Sequence, residues 1–411
     1  MISGEEWWRL LPPDTSADAK RLLLARAVRA FADGFVALLL PAYLLALGFS
    51  ALEIGAIVTA TLLGSAGCTL ILGAVAHRFP RRTLLLAACA IMLATGLGFA
   101  LTRELWPLLI IGFLGTMNPS AGDVSVFLPL EHTALSQVAA PARRTALFAR
   151  YSLAGSLAGA LGVLAAPIPD ALAPYGIDPT AAMQAMFALY GLLAFGALAC
   201  YRTLTPAVEA PAASRQAPAA LGPSKRIVWG LTVLFAIDSF GTGFFVQSIL
   251  ALWLFQTFDL SIAATASILF WAGLCSSVSF LLAVPLAQRF GLINTMVFTH
   301  LPSSLCVMAL PFAPNLATAI ALLLVRAMLS QMDVPTRTSY IMAVVRPEER
   351  PAAAALTATS RSLASAFGPL LAGWMMTLSA FAWPLLIGGA LKVAYDILLL
   401  RQFRHVRPPE E

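Results

Sequence analysis

Apolar residues are arranged in long uninterrupted runs that short polar segments separate. Each run is close to or above the length of about 20 residues that lets an α-helix cross a hydrocarbon core of about 30 Å. The strict alternation that an outer-membrane barrel requires is not found, because the runs are continuous. The pattern therefore predicts twelve transmembrane helices, at residues 22–47, 52–75, 84–101, 106–127, 146–166, 181–201, 227–254, 262–286, 293–311, 316–343, 352–378 and 381–400.

The composition supports a membrane location. Of the 411 residues, 59% are hydrophobic and 11% are charged, whereas a soluble globular chain has about 25% charged residues. The first segment is too long for the apolar core of a signal peptide and contains Arg26, Arg29 and Asp33, so we expect it to remain attached. All five cysteines lie inside apolar segments without metal-ligand spacing, and we expect them to pack as small core residues.

Basic residues concentrate on one side of the predicted membrane, which identifies that side as cytoplasmic. The loops on that side include Arg81, Arg82, Arg144, Arg202, Arg226, Arg289, Arg346 and Arg401. The opposite loops contain Arg103 together with the acids Glu104, Asp178 and Asp259. We therefore expect a multi-pass protein of a bacterial-type inner membrane with both termini in the cytoplasm. The net charge of +6 is spread over many loops, so no nucleic-acid partner is expected.

An Ala- and Pro-rich stretch after the sixth segment divides the chain into two parts. The predicted organisation is a cytoplasmic segment at 1–21, a six-helix bundle at 22–202, a cytoplasmic linker at 203–225, a second six-helix bundle at 226–402 and a tail at 403–411. At an offset of 211 residues Ser50 corresponds to Ser261, and Arg150 to Arg361. Parallel repeats of this kind enclose a central cavity and rock against each other. The predicted fold is an all-α membrane protein with twelve transmembrane helices in two six-helix pseudo-symmetric halves.

The loop after the second segment carries a basic motif. Its sequence at residues 73–82, Gly-Ala-Val-Ala-His-Arg-Phe-Pro-Arg-Arg, resembles the loop 2–3 signature of the major facilitator superfamily, a Gly and three residues before Asp-Arg-x-Gly-Arg-Arg. The three arginines match, whereas His77 replaces the usual Asp and Pro80 the usual Gly. The resemblance implies the fold of that family and a latch between helices at the cytoplasmic face. The residues of this implied gate, with the counterpart from the second half last, are His77, Arg78, Arg81, Arg82 and Arg289.

Two further features are similar to the proton-coupled efflux members of that family, the drug:proton antiporter-like branch. One is the Leu-Pro pair at 40–41, and the other is the glycine series of the fifth segment, Gly155, Gly159 and Gly162. The fifth segment lacks the Gly-Pro pair of the antiporter motif, which is present instead as Gly368-Pro369 in the eleventh. Close helix packing is the alternative explanation of these glycines. The resemblance favours efflux.

Two acids are predicted near the middle of the membrane. Asp33 and Asp238 each lie eleven residues past the start of the first segment of their half, or about 16 Å at 1.5 Å per residue. A charge at the bilayer centre costs about 3 kcal/mol on insertion scales, so each acid is a candidate for binding a proton or a cationic substrate. The structural alternative for Asp33 is an ion pair with Arg29, one helical turn earlier.

The tenth segment combines two bases, an acid and an amide within a dozen residues. On a continuous helix Arg326, Asp333 and Arg337 share roughly one face, which must point to a cavity or to other helices because lipid exposure would be too costly. We expect Arg326 to contact substrate or an acid. Arg337 is expected to extend to the cytoplasmic interface.

Other polar residues complete the predicted site. Asp123 in the fourth segment is considered as a partner of Arg326. Lys392 and Asp396 lie four residues apart in the twelfth segment and are expected to neutralise each other. His300 is expected to be a hydrogen-bonded core histidine, with a proton relay as the alternative. The predicted substrate- or proton-binding residues are Asp33, Asn118, Asp123, Asp238, Gln247, Arg326, Gln331 and Asp333.

Missing motifs narrow the function. A Gly-x4-Gly-Lys-Ser/Thr loop and a His-Glu-x-x-His motif are both absent, which argues against drive by ATP and against a metalloprotease. We predict a monomeric, non-enzymatic transporter without cofactor, metal or catalytic residues, which performs proton-coupled efflux of a small molecule by alternating access. Proton-coupled uptake of a metabolite is the alternative within transport. A lipid scramblase or a membrane enzyme is the alternative from another class. The predicted partners are the substrate, protons and membrane lipid.

Overall fold

The computed structural model describes residues 15–75, 78–120, 125–138, 144–209, 221–346 and 349–403. Most of the predicted terminal segments and linker lie outside these ranges, as do the predicted site residues His77 and Asp123. The first part contains α1 (Ala17–Ala46), α2 (Ala51–Val75), α3 (Arg81–Leu101), α4 (Leu105–Leu114), α5 (Phe127–Val138), α6 (Arg144–Val163), α7 (Ile168–Leu172) and α8 (Pro179–Arg202). The second part contains α9 (Lys225–Gly243), α10 (Gln247–Phe258), α11 (Ile262–Phe290), α12 (Leu292–Ala309), α13 (Leu316–Leu329), α14 (Asp333–Val344), α15 (Arg350–Leu378) and α16 (Trp383–Phe403).

Length and hydropathy identify a multi-pass membrane protein. Among the described residues, eight helices or joined helix pairs are long and apolar enough to span a bilayer. Helices α4 and α13 are apolar but shorter. Helices α1 and α15 have 30 and 29 residues, which is long enough to span a bilayer, but they are not among these eight.

Three predicted segments that were expected to be continuous helices are interrupted. The breaks lie between α4 and α5, between α9 and α10, and between α13 and α14. At the first break Pro119 lacks a backbone N–H, and its free carbonyl accepts hydrogen bonds from Ser248 N (3.2 Å) and Ser248 Oγ (2.7 Å). Irregular backbone at membrane depth is tolerated where it is buried in protein or lines a cavity. The prediction of unbroken helices at these places was wrong.

Glycines allow several helices to approach at backbone distance. A Cβ atom on Gly34 of α1 would lie 2.1 Å from the carbonyl oxygen of Gly159 on α6, and one on Gly368 of α15 would lie 2.2 Å from the carbonyl carbon of Gly243 on α9. Distances this short exclude any side chain. The glycine series of α6 therefore packs that helix against α1, as the packing explanation expected.

Helices from the first and second parts of the chain pack directly on each other. Helix α2 lies along α15 and α6 along α11, while α1 contacts α10. Hydrogen bonds cross each of these seams: Leu370 N donates to Thr59 Oγ1 (2.9 Å), and Ser156 Oγ lies 2.7 Å from Ser277 Oγ. Ser248 Oγ on α10 donates to the carbonyl oxygen of Ala37 on α1 (2.8 Å).

Ser50 and Ser261, which the sequence matches at an offset of 211 residues, each directly precede a helix. Ser50 directly precedes α2, where it exchanges hydrogen bonds with Glu53. Ser261 is the N-cap of α11 and accepts from Ala264 N (3.2 Å). Both serines satisfy backbone N–H groups that the first turn of a helix leaves without partners.

Candidate functional site

A buried polar cluster connects α1, α5, α6 and α8. The Arg29 guanidinium forms an ion pair with Glu131, and its Nε donates to the Tyr201 hydroxyl (3.1 Å). Tyr201 in turn donates to Glu131 Oε1 (2.6 Å), and Tyr151 donates to the same carboxylate. The side chains of Arg29 and Glu131 are at most 2% exposed. This arrangement satisfies a buried charge pair completely and fixes four helices relative to each other.

The ion pair with Arg29, which was the structural alternative for Asp33, therefore does not form. Spacing of four residues brings the two side chains close, but Arg29 extends to Glu131, whose deep burial demands a cation. Asp33 accepts a hydrogen bond from the backbone of Asn118 and experiences Arg26 and Arg29 electrostatically. In the described part of the chain it has no salt bridge within 4.0 Å. Asp33 is thus a buried carboxyl group without a direct cationic partner.

Asn118 places the first helix break beside Asp33. Its side chain is 1% exposed, and its Oδ1 accepts from Ser120 N (3.1 Å) and Ser120 Oγ (2.6 Å). This local turn holds the backbone in a non-helical conformation and directs it toward α1. Asn118 and Asp33, both predicted site residues, are brought together by the structure.

A second buried network surrounds Asp238 on α9. Its carboxylate accepts from Lys392 Nζ (2.7 Å) and from Arg337 Nη1 (3.3 Å), and His300 Nε2 lies 3.5 Å away. The partners come from α16, α14 and α12 respectively. Because three helices contribute a cationic or titratable group to one acid, Asp238 joins α9 to α12, α14 and α16 in the interior of the second part of the chain.

The network continues to two more carboxylates. Asp396 lies 2.9 Å from His300 Nδ1, and Arg337 also pairs with Asp333 (3.2 Å). The predicted pair of Lys392 with Asp396 is wrong, because the two side chains contact different groups on α9 and α12. The spacing of four residues places Lys392 and Asp396 on the same side of α16, but each side chain pairs with a buried group on another helix.

The expectation that Arg337 extends to the membrane interface is also wrong. Its side chain is 4% exposed and is held by Asp238 and Asp333. Its pairing with Asp333 agrees with the predicted shared face. Arg326, however, lies on α13, and residues 330–332 interrupt the helix before Asp333 begins α14.

Arg326 lies beside the break between α9 and α10. Its guanidinium carbon is 5.1 Å from the centre of the Phe245 ring, and Lys392 Nζ is 5.9 Å from the same ring. Gln247 follows this break at the start of α10, and its Nε2 atom is buried without a hydrogen-bond partner among the described residues. Gln331 lies in the α13–α14 break, where its backbone N–H donates to Ser279 Oγ (3.2 Å).

Sequence reasoning missed Arg361 as a site residue and noted it only as a repeat position. Arg361 lies on α15 and donates from Nε to Ser239 Oγ (3.1 Å), one residue after Asp238. Arg361 is the twelfth residue of the long helix α15, and a charge that far inside a membrane helix could have identified it as a site residue. The role of Glu131 was also missed, since its position suggested a helix end rather than a buried acid.

The network contains a set of groups that resembles a metal site. Oxygen or nitrogen atoms of Asp238, His300 and Asp333 lie within 4.8 Å of one another. Lys392 and Arg337 already contact these two carboxylates, and two cations at hydrogen-bond distance oppose the binding of a metal ion. The geometry favours an ion-paired network over metal coordination.

The basic loop after α2 forms hydrogen bonds with the segment that follows α8. Glu209 accepts from the backbone N–H groups of Arg81 (2.8 Å) and Arg82 (3.1 Å), and Arg81 Nη1 donates to Val208 O (2.7 Å). Glu209 thereby caps α3. Arg78 is exposed at the same loop, and Arg289 stacks on Phe290 (5.3 Å) at the end of α11.

A similar cap lies on the second part of the chain. Glu349, at the start of α15, accepts from the backbone N–H groups of Gly222 (3.1 Å) and Ser224 (3.1 Å) before α9. A hydrogen bond with the Ser224 side chain, and then these two backbone hydrogen bonds and the charge of Arg346, lower the pKa of the Glu349 carboxyl below its ordinary value.

Comparison with known proteins extends over the whole membrane region. The chain matches the Major Facilitator Superfamily over residues 22–330 and 231–411. It is 24% identical to an uncharacterized membrane protein of Saccharomyces cerevisiae, YJR124C, with 94% of each chain covered. Its structure is similar to that of a D-xylose–proton symporter, with a TM-score of 0.73, 16% identity, and 93% of this chain and 96% of that one covered. A variant of the nucleoside transporter NupG gives a TM-score of 0.70 at 14% identity, with 94% and 100% covered.

Proposed function

Because the chain belongs to the Major Facilitator Superfamily, we propose that it is a secondary active transporter that couples the movement of a small molecule to protons by alternating access. Its family and fold are those of transporters and not of enzymes.

We propose twelve membrane crossings in two six-helix halves. The eight spans would be completed by α1, by α15, and by the broken pairs α4–α5 and α13–α14. The seams of α2 with α15 and of α6 with α11 support this division, because they pair the second helix of one half with the fifth of the other. In this arrangement both termini are cytoplasmic in an inner membrane, surrounded by lipid, and the protein is a monomer.

The observation that carries the coupling proposal is the environment of Asp33. Asp33 is 7% exposed, lies near the middle of α1 and has no salt bridge within 4.0 Å in the described part of the chain. An unpaired buried carboxylate is costly, whereas its neutral form costs much less. Proton binding and release at Asp33 would therefore change the energy of the two access states differently, which is the requirement for coupling.

Asp238 is the second candidate for the proton. Protonation there would deprive Lys392 and Arg337 of a shared carboxylate, so it would require a rearrangement of α9, α14 and α16. We propose that this network responds to the access state, while Asp33 carries the proton.

Two directions of transport have support. The Leu-Pro pair at 40–41 and the glycine series of α6 favour efflux by resemblance, although these glycines also serve packing. The structural similarity to a D-xylose–proton symporter favours uptake. We propose efflux as the direction to test first.

The test is transport into inverted vesicles containing the full chain, with an imposed pH gradient and a screen of labelled small molecules. We expect Asp33→Asn to abolish gradient-driven accumulation and to preserve exchange of substrate across the membrane. The matched control is Asp170→Asn, an exposed acid on α7. Wild-type response to the pH gradient in Asp33→Asn would remove Asp33 from the coupling mechanism. Accumulation only with the opposite gradient would establish uptake.

A further inference from the structure

The interior of the second part of the chain contains more cations than carboxylates. Away from the two membrane faces, the charged groups of α9 to α16 are four cations and three acids. The cations are Arg326, Arg337, Arg361 and Lys392, and the acids are Asp238, Asp333 and Asp396. His300 adds a further positive charge whenever it is protonated. At membrane depth such an excess calls for an anion from outside the chain.

The ion pairs show which cations lack a carboxylate. Lys392 and Arg337 contact Asp238, and Arg337 also contacts Asp333. Within the described residues no carboxylate lies within 4.0 Å of Arg326 or of Arg361. The excess charge is therefore located on these two arginines.

Both arginines point into the helix bundle. Arg361 Nε donates to Ser239 Oγ on α9 (3.1 Å). The guanidinium carbon of Arg326 lies 5.1 Å from the centre of the Phe245 ring, in the break between α9 and α10. Each side chain is partly exposed, whereas Arg337 in the same network is buried. Partial exposure at this depth leaves guanidinium N–H groups accessible to a ligand.

We propose that the transported molecule is an organic anion and that Arg326 and Arg361 bind its carboxylate or phosphate group. A guanidinium presents parallel N–H donors that match either group in a bidentate geometry. Binding would supply the negative charge that the interior of α9 to α16 lacks. The Phe245 ring, between Arg326 and Lys392, offers an apolar surface to the organic part of the same molecule. This inference rests on the transport function proposed above and names its substrate class.

The test is equilibrium binding to the purified full chain, measured by thermal stabilisation and titration calorimetry. The probes are aliphatic and aromatic carboxylates and phosphate monoesters, each compared with its neutral amide or alcohol, and a series of organic amines. We expect an anion to bind, its neutral counterpart to bind at least tenfold more weakly, and the amines not to bind. The carboxylate and phosphate arms identify the anionic group.

Variants locate the site. Arg326→Gln and Arg361→Gln should each weaken anion binding at least tenfold, Arg→Lys at either position should retain part of it, and the exposed Arg401→Gln on α16 should not change it. Without ligand, both Gln variants should melt no lower than the wild type, because each removes a positive charge that has no carboxylate within 4.0 Å among the described residues. A lower melting temperature with unchanged anion affinity would assign these arginines a structural role and overturn the proposal.

The transport and binding experiments can fail independently, so they distinguish the proposed anion site from the proposed proton-coupled transport. Proton-driven transport of a neutral or cationic compound would leave the transport function standing and overturn the anion site. An anion that binds through Arg326 and Arg361 but is not moved by any pH gradient would support the site and contradict proton-coupled transport.

Discussion

Lys392 on α16 donates a 2.7 Å hydrogen bond to Asp238 on α9, and the same ammonium group donates to Thr242 one turn further along α9 (2.7 Å). The two helices also meet at Gly241 and Gly388, where a Cβ on Gly241 would lie 2.8 Å from the Gly388 carbonyl oxygen. Close backbone contact and a buried ion pair thus reinforce each other at one seam.

Asp238→Asn should destabilise the protein strongly. Removing one partner of a buried pair leaves the other charge uncompensated, at a cost of about 3–5 kcal/mol. Adding Lys392→Met should recover part of this loss, since the orphaned ammonium is then gone. Thermal and denaturant unfolding in detergent measure both effects. The control is Asp259→Asn, an exposed position with φ of 49° that suits Asn. A double variant no more stable than Asp238→Asn alone would contradict the pairing as the source of stability.

Gly34→Ala should lower stability by about 1–3 kcal/mol, because the added methyl group collides with the backbone of Gly159 and α1 must separate from α6. Gly67→Ala on α2 is the matched control, because no atom lies within 4 Å of its added methyl group. That substitution should be neutral or stabilising by up to about 1 kcal/mol through helix propensity. Equal melting temperatures for the two variants would disprove the close approach of α1 and α6.

Glu349→Gln should lose stability in a pH-dependent way. The folded-state pKa of Glu349 is lowered, so its ionised form stabilises the fold. That contribution is complete above the unfolded pKa of about 4.3 and disappears as the pH falls through the lower folded value. The melting temperature of the wild type should therefore exceed that of Glu349→Gln at pH 6 to 7, and the difference should shrink in acid. A difference that grows toward low pH would contradict the assigned sign.

Topology can be read by labelling single cysteines. Pro223→Cys, before α9, should react from the cytoplasm, and Tyr175→Cys, before α8, should react from the opposite side. Both positions are exposed. The unsubstituted chain, whose five cysteines are buried or partly buried in helices, supplies the background. Labelling of Tyr175→Cys from the cytoplasmic side would invert the proposed orientation.

The hydropathy pattern located the membrane helices because their burial depends on runs of apolar residues, which are local properties of the sequence. The breaks in the fourth, seventh and tenth segments were not predicted, since an apolar window stays apolar when the backbone inside it leaves the helix. Pro119 was visible at the first break, but the hydroxyl of Ser248 that satisfies its carbonyl lies more than a hundred residues away.

Most charged residues of the buried networks, apart from Arg361 and Glu131, were also identified from sequence, because a charge in an apolar run is conspicuous. Their pairing was not found. Spacing of four residues suggested Arg29 with Asp33 and Lys392 with Asp396, yet the structure pairs Arg29 with Glu131 and Lys392 with Asp238. Pairing in the interior depends on which helices are neighbours, and a single sequence does not specify that.

The contact of Ser248 with α1 and with the α4–α5 break has an evolutionary consequence. Both acceptors are backbone carbonyls, those of Ala37 and Pro119, so the amino acids at these two positions can change while the hydrogen bonds remain. Through these two hydrogen bonds, selection would act on the hydroxyl at 248 and not on the side chains of the two acceptor residues. Correlated substitution between aligned sequences detects contacts by paired change. It would therefore not detect these two contacts, which join α10 to α1 and to the α4–α5 break.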